Sequence, residues 1–182
     1  MIFNSTPLAG AYVIDVEPIA DDRGFFARSF CKHEFDAHGL SSHLVQCNIS
    51  YNKTRGTLRG MHFQAPPHSE AKLIRCTHGE IFDVVVDLRE GSKTFAEWFG
   101  VELTAENRKA LYVPEGFAHG YLTMTDNAEV SYQVSEFYNP LCESGISWND
   151  SRVNIAWPIQ PVLISEKDRG HMPIKPLPIH SG

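Results

Sequence analysis

The chain has 182 residues, 42% of them hydrophobic and 21% charged, with a formal net charge of −6 at pH 7. That length and composition suit a single domain spanning residues 1–182 with a real core, and they exclude a disordered chain. An acidic balance with no run of Lys or Arg excludes a general attraction to nucleic acid or to an anionic membrane, so any phosphate must be gripped locally.

Residues 1–10 lack a basic segment followed by an apolar one, and no later stretch approaches a membrane span, so a soluble cytoplasmic protein is expected. Residues 11–17 predict a first strand, closed by Pro18 and the turn-like residues 20–24, and residues 25–30 predict a second. Residues 32–38 have helical spacing around Phe35 and end at Gly39, which suits a left-handed cap. Short β-like runs follow at 44–51, 57–64, 71–77, 80–89, 95–103, 110–113, 120–125 and 129–136. Turn residues such as Asn52-Lys53, Pro66-Pro67, His78-Gly79 and Pro114-Glu115-Gly116 separate them. So many short strands with hardly any helix predict an all-β antiparallel sandwich or barrel with a few short helices. Residues 151–182, rich in Pro and Ile, are expected to be an arm packed on the barrel. Cys31, Cys47, Cys76 and Cys142 are widely spread with no CxxC pair and read as reduced thiols.

The stretch Arg59-Gly60-Met61-His62-Phe63-Gln64 puts an ionisable imidazole in a strand. Alternation places His62 with Gly60 and Gln64 on one face, and Arg59, Met61 and Phe63 on the other. A lone strand histidine is more often a buried one bonded to a backbone carbonyl, but Gly, His and Gln together make a poor plain core face. In the run at 80–89, Phe82, Val84, Val86 and Leu88 share one face, and Asp83, Val85 and Asp87 the other. Asp87, near the strand end, reads as solvent-facing, while Asp83 reads equally as a partner to a site or as a structural hydrogen-bonder. Lys72 shares a face with Ile74 and Cys76, and taken alone it would reach solvent.

Pro114-Glu115-Gly116-Phe117-Ala118-His119-Gly120 has the PxGxxH spacing of the second cupin motif, and cupins are jelly rolls, in agreement with the strand count. Gln64 stands where metal-binding cupins carry a second His, and Thr123 where they often carry Asn, so no metal is expected. Asp22-Arg23-Gly24-Phe25-Phe26, Gln46-Cys47-Asn48-Ile49-Ser50, Leu58 to Gln64, Lys72-Leu73, Gly79 to Val84, Pro114 to Gly120 and Trp148-Asn149-Asp150 together resemble the dTDP-4-dehydrorhamnose 3,5-epimerase family, the cupin-type epimerases of dTDP-L-rhamnose synthesis. The likeness runs in the family's order from near Gly10 to near Asp168.

The resemblance implies a substrate with a ketone at C4 of a dTDP-linked 6-deoxyhexose, whose C3 and C5 hydrogens are acidified. It implies His62 as the base, Asp168 as the group holding its imidazole, Tyr132 as the acid on the opposite face, and Lys72 as stabiliser of the enolate oxygen. His119 would line the sugar pocket. Arg23, Arg59 and Lys167 would hold the nucleotide and its diphosphate, Phe26 and Tyr138 would stack on the base, and Gln46, Asn48 and Glu143 would add hydrogen bonds. Where the family usually has Glu in the wall of the nucleotide pocket, this chain has Arg28, which changes what that wall can recognise. No cofactor is implied, and the family's exchange of N-terminal strands implies a homodimer. Relatives that invert only C3 or only C5, or that act on another nucleotide sugar, are the enzymatic alternatives. A metal-dependent cupin oxygenase or a non-catalytic nucleotide-sugar binder is the alternative outside that class.

Overall fold

A computed structural model describes residues 1–174. In chain order the strands are β1 Ile2–Ser5, β2 Tyr12–Asp15, β3 Ile19–Asp21 and β4 Gly24–Phe26, then α1 Lys32–Ala37, then β5 Gln46–Asn52, β6 Thr57–Gln64, β7 Lys72–His78 and β8 Glu80–Asp87. They continue with β9 Trp98–Thr104, β10 Ala110–Val113, β11 Phe117–Thr123, β12 Ala128–Val134, β13 Glu143–Gly145 and β14 Leu163–Ile164, and end in α2 Glu166–Arg169. The fold is a jelly-roll sandwich. One sheet has the order β1-β2-β10-β7-β12-β5, the other β13-β6-β11-β8-β9 with β14 parallel to β6, and β3 and β4 form a separate hairpin.

The inner faces of the two sheets meet over Val13, Ile74, Cys76, Ile81, Val85, Leu111 and Val130. Strand alternation predicts this for β8, and there it holds: Val85 points inward while Val84 and Val86 point outward. Both faces of β8 are apolar because the chain beyond β13 covers the outer one, with Ile146, Val153 and Ile174 buried against Met61, Val84 and Ala118. Val153 and Ile174 belong to the run read as an arm, whose residues 175–182 lie outside the described residues. The outer face of the first sheet is capped by α1, whose Phe35 sits against Phe3, Phe30 and Tyr112. Gly39, at φ +69°, ends that turn of chain in the left-handed region, as its position suggests.

Several boundaries differ from expectation. The run at 25–30 is strand only through Phe26, because its partner is the three-residue β3 rather than a sheet. β11 begins at Phe117, so His119 lies within a strand rather than in the loop before it. Asp87 is fully buried instead of solvent-facing: the Arg89 guanidinium, Ser92 Oγ and Thr94 Oγ1 all donate to its carboxylate, which holds its pKa down at about 2 against the cost of burial. A carboxylate with that many donors is stable in a dry loop base.

Candidate active site

One end of the inter-sheet core is polar. On β5 the inward positions are Gln46, Asn48, Ser50 and Asn52, while Cys47, Ile49 and Tyr51 face out. Of these, Ser50 is joined by Lys72 from β7, Tyr132 from β12, and His62, His119 and Tyr121 from the opposing sheet around a cavity of about 210 Å3. The cavity opens into a wider mouth lined by Gln46, Asn48, Gln64, Glu70, Tyr138 and Glu143.

Arg59 also lines the inner cavity, beside His62, although simple alternation puts them on opposite faces. The pairing of β6 with β11 explains this. His62 is opposite His119 and Arg59 is opposite Tyr121, so three steps on β6 match two on β11. One extra residue in β6 reverses the alternation between Arg59 and Met61. The strands approach closely there: a Cβ on Gly60 would lie 2.5 Å from the Gly120 Cα, and Gly60 has φ +133°. Only glycine fits that position.

His62 Nε2 lies 2.7 Å from Asp168 Oδ1. Asp168 reaches it from α2, where the Ser165 Oγ accepts from the Asp168 backbone N–H and caps the helix. Burial alone would raise the Asp168 carboxyl, but His62, the Gly60 N–H and Ser165 outweigh it and hold the group below the usual carboxylate range. An ionised Asp168 takes the Nε2–H, which leaves the Nδ1 lone pair of a neutral His62 free to accept a proton. On the neighbouring strand His119 Nε2 makes a similar 2.7 Å contact with Asp83 Oδ1. Asp83 is wholly buried and its Oδ2 has no partner, and burial pushes its carboxyl up in spite of His119. The structure thus makes Asp83 a partner to a cavity residue.

Lys72 is buried, not solvated as a lone reading of its strand suggests, and it is paired with Glu70. Burial lowers its pKa and Glu70 opposes that. Tyr132 faces His62 from the other sheet, and burial followed by the charge of Glu70 raises its phenol pKa, so it stays protonated at neutral pH. At the mouth, Tyr138 donates to Glu143, which also pairs with Lys167, and the Gln46 side chain accepts from the Tyr138 N–H.

Arg23, Phe26 and Arg28 are not brought to this cavity. They lie exposed on and after the β3–β4 hairpin, where Arg23 pairs, among the described residues, only with Asp21. Three cavity-side groups had no place in the sequence reading, namely Ser50, Tyr121 and Glu70 as the partner of Lys72, nor had His171, which lies outside the cavity next to Gly145. Two-residue spacing from Asn48 and His119 points to Ser50 and Tyr121. Among the described residues, the donors close enough to share a cation are those of His62, Asp168 and His171.

A jelly roll that holds a carboxylate-braced imidazole, a phenol and a buried ammonium around one open cavity defines a class, the cupin-type acid–base enzymes. Residues 5–175 match the family described as dTDP-4-dehydrorhamnose 3,5-epimerase. A relative of that name from Methanothermobacter thermautotrophicus is 45% identical over 181 residues, covering 98% of this chain and 97% of its own. The crystal structure of the Elizabethkingia anophelis enzyme superposes with a TM-score of 0.92 at 41% identity, over 95% of this chain and 96% of the other. The Bacillus anthracis enzyme, solved with TDP and PPi bound, superposes at 0.91 and 40% identity, over 95% and 99%. The chain belongs to the dTDP-4-dehydrorhamnose 3,5-epimerase family and is an isomerase.

Proposed function

We propose that the protein inverts C3 and C5 of dTDP-4-dehydro-6-deoxy-D-glucose in dTDP-L-rhamnose-type deoxysugar synthesis, with His62 as base and Tyr132 as acid. The observation that carries this reading is the placement of the Asp168-braced His62 and the protonated Tyr132 on opposing sheets of one cavity, with Lys72 beside them. Both target carbons are α to the C4 ketone. His62 Nδ1 takes the C–H proton, the electron pair moves into the C3–C4 or C4–C5 bond, and negative charge collects on the C4 oxygen. Tyr132 then gives its phenolic proton to the opposite face of the carbon, and solvent resets both groups.

A ketone α-hydrogen is roughly ten or more pKa units weaker as an acid than an imidazolium, and each unit is worth about 1.36 kcal/mol. The Lys72 ammonium offsets much of that deficit because it acts on the oxyanion from a site already desolvated. Arg59 and Lys167 bind the diphosphate, and Gln46, Asn48, Tyr138, Glu143 and His119 hold the rest of the ligand. The test is incubation with dTDP-4-keto-6-deoxy-D-glucose in deuterated water. Solvent deuterium should enter C3 and C5, and His62→Ala should abolish both exchanges. Exchange at neither carbon by folded wild-type protein would sink the reading, and exchange at one would reduce it to a mono-epimerase.

The working form is a cytoplasmic homodimer in which each hairpin completes its partner's site. Supporting this, Ile19 and Phe26 are 70% and 65% exposed and Arg23 reaches no group of its own cavity. If arms are exchanged, mixing His62→Ala with Arg23→Ala chains rebuilds one intact site per mixed dimer. Activity should then return to roughly a quarter of wild type. Sites made within one chain would return none.

A further inference from the structure

Behind the dyad lies a third donor that proton transfer does not use. His171 follows the short helix α2, and its ring stands 5.6 Å from that of His62, edge to face. Its Nε2 is buried, has no hydrogen-bond partner among the described residues, and lies 3.9 Å from Asp168 Oδ1, the same oxygen that His62 Nε2 meets at 2.7 Å. An imidazole nitrogen buried without a partner is costly, and at 3.9 Å this one is too far from the carboxylate oxygen to bond it.

We infer that His62 Nε2, Asp168 Oδ1 and His171 Nε2 form an inhibitory site for a divalent transition-metal ion of the Zn2+ type. The three atoms lie within 4.8 Å of one another. Ligand atoms around one tetrahedral zinc ion are roughly 3.4 Å apart. The observed 2.7 and 3.9 Å separations straddle that value, so small rotations of the two rings make room for an ion. Two imidazoles and a carboxylate suit Zn2+ better than Ca2+ or Mg2+. The charges nearby favour a cation: Lys167 is paired with Glu143, which leaves Asp168 as the uncompensated group. His62 is about a third exposed, so an ion can enter from the cavity side.

The chemistry of inhibition follows from the tautomer. In the free dyad the His62 proton sits on Nε2 against Asp168, and Nδ1 is the base. An ion on Nε2 displaces that proton, which moves to Nδ1, where it occupies the lone pair that must take the C–H proton. The ring stays neutral, and the base is lost without any change in fold. The inference uses the same dyad as the proposed epimerase, but binding of the ion is measured without substrate.

The test is calorimetric titration of wild-type protein with Zn2+, alongside His171→Phe and His171→Ala, with the activity of each followed in parallel. Wild type should bind one ion and lose activity as it does so. Both variants should keep their metal-free activity and bind Zn2+ about 100-fold or more weakly, since loss of a direct ligand exceeds the 10- to 100-fold cost of losing an outer partner. If the variants are poorly folded, imidazole 15N spectra of the wild type decide alone: Zn2+ should shift the Nε2 resonances of both His62 and His171. No binding by wild type, equal binding by the variants, or unshifted resonances at either ring would overturn the inference. A dead enzyme that still binds Zn2+ through these rings would leave the metal site standing and strike at the epimerase reading, and with it the inhibition.

Discussion

The cavity contains two histidine–carboxylate pairs of the same length, on residues directly opposite each other in adjacent strands, and they are not equivalent. In the first, Asp168 comes from a capped helical turn, receives the Gly60 N–H as well as His62, and is held ionised. In the second, Asp83 comes from the middle of β8, is wholly buried with one oxygen unpartnered, and is pushed toward its neutral form. Asp168 presents His62 with a carboxylate that several donors keep ionised, while Asp83 presents His119 with one whose ionisation burial resists. The contrast shows that the number of donors around each carboxylate, more than the contact distance, sets how readily it ionises.

The largest effect should come from replacing the two histidines. His62→Asn is expected to lower kcat by about 10⁴-fold, the upper end for acid–base catalysis, while His119→Asn should act mainly on KM. Steady-state rates with the 4-keto sugar measure both, and a His119 loss in kcat equal to that of His62 would erase the contrast. The carboxylates come next. Asp168→Asn should cost about 10²- to 10³-fold in kcat, because an amide can present its NH2 to Nε2 and select the wrong tautomer. Asp83→Asn should cost less than about 10-fold, since the amide keeps a hydrogen-bonding partner of the same size beside His119, a change worth about 1 kcal/mol.

Much of this was legible from residue order, and the failures have physical causes. Alternation placed the two faces of β8, because that strand pairs with β9 and β11 without irregularity, whereas Lys72 was assigned to the pocket only through the resemblance. It failed at Arg59, since the extra residue in β6 shows only when β11 is laid beside it. Asp87 was misread because its burial depends on donors from the following loop. His171 was invisible, because nothing local ties it to His62; the pairing of β13 with β6 and the turn after α2 bring it there, where a Cβ on Gly145 would touch its Nε2. Arg23 and Phe26 carry the family's motif and Arg28 departs from it, yet among the described residues none of the three reaches the cavity.

The smallest effect, and the cleanest check on the two carboxylates, is on stability against pH. Asp168 has a folded pKa below its unfolded value of about 3.9, so its contribution is present above that pH and is lost as the pH falls through the folded pKa. Asp83 has a folded pKa above its unfolded value, so the fold holds a proton that the unfolded chain releases. Its contribution is present below about pH 3.9 and is lost as the pH rises through the raised folded pKa. Melting curves from pH 3 upward should therefore change on opposite limbs. Asp168→Asn should remove part of the decline on the acid side, and Asp83→Asn should remove part of the decline toward neutral pH, each by about 2–4 °C per kcal/mol. If both variants alter the same limb, the two carboxylates share one charge state, and the division of labour between His62 and His119 must come from the substrate's position.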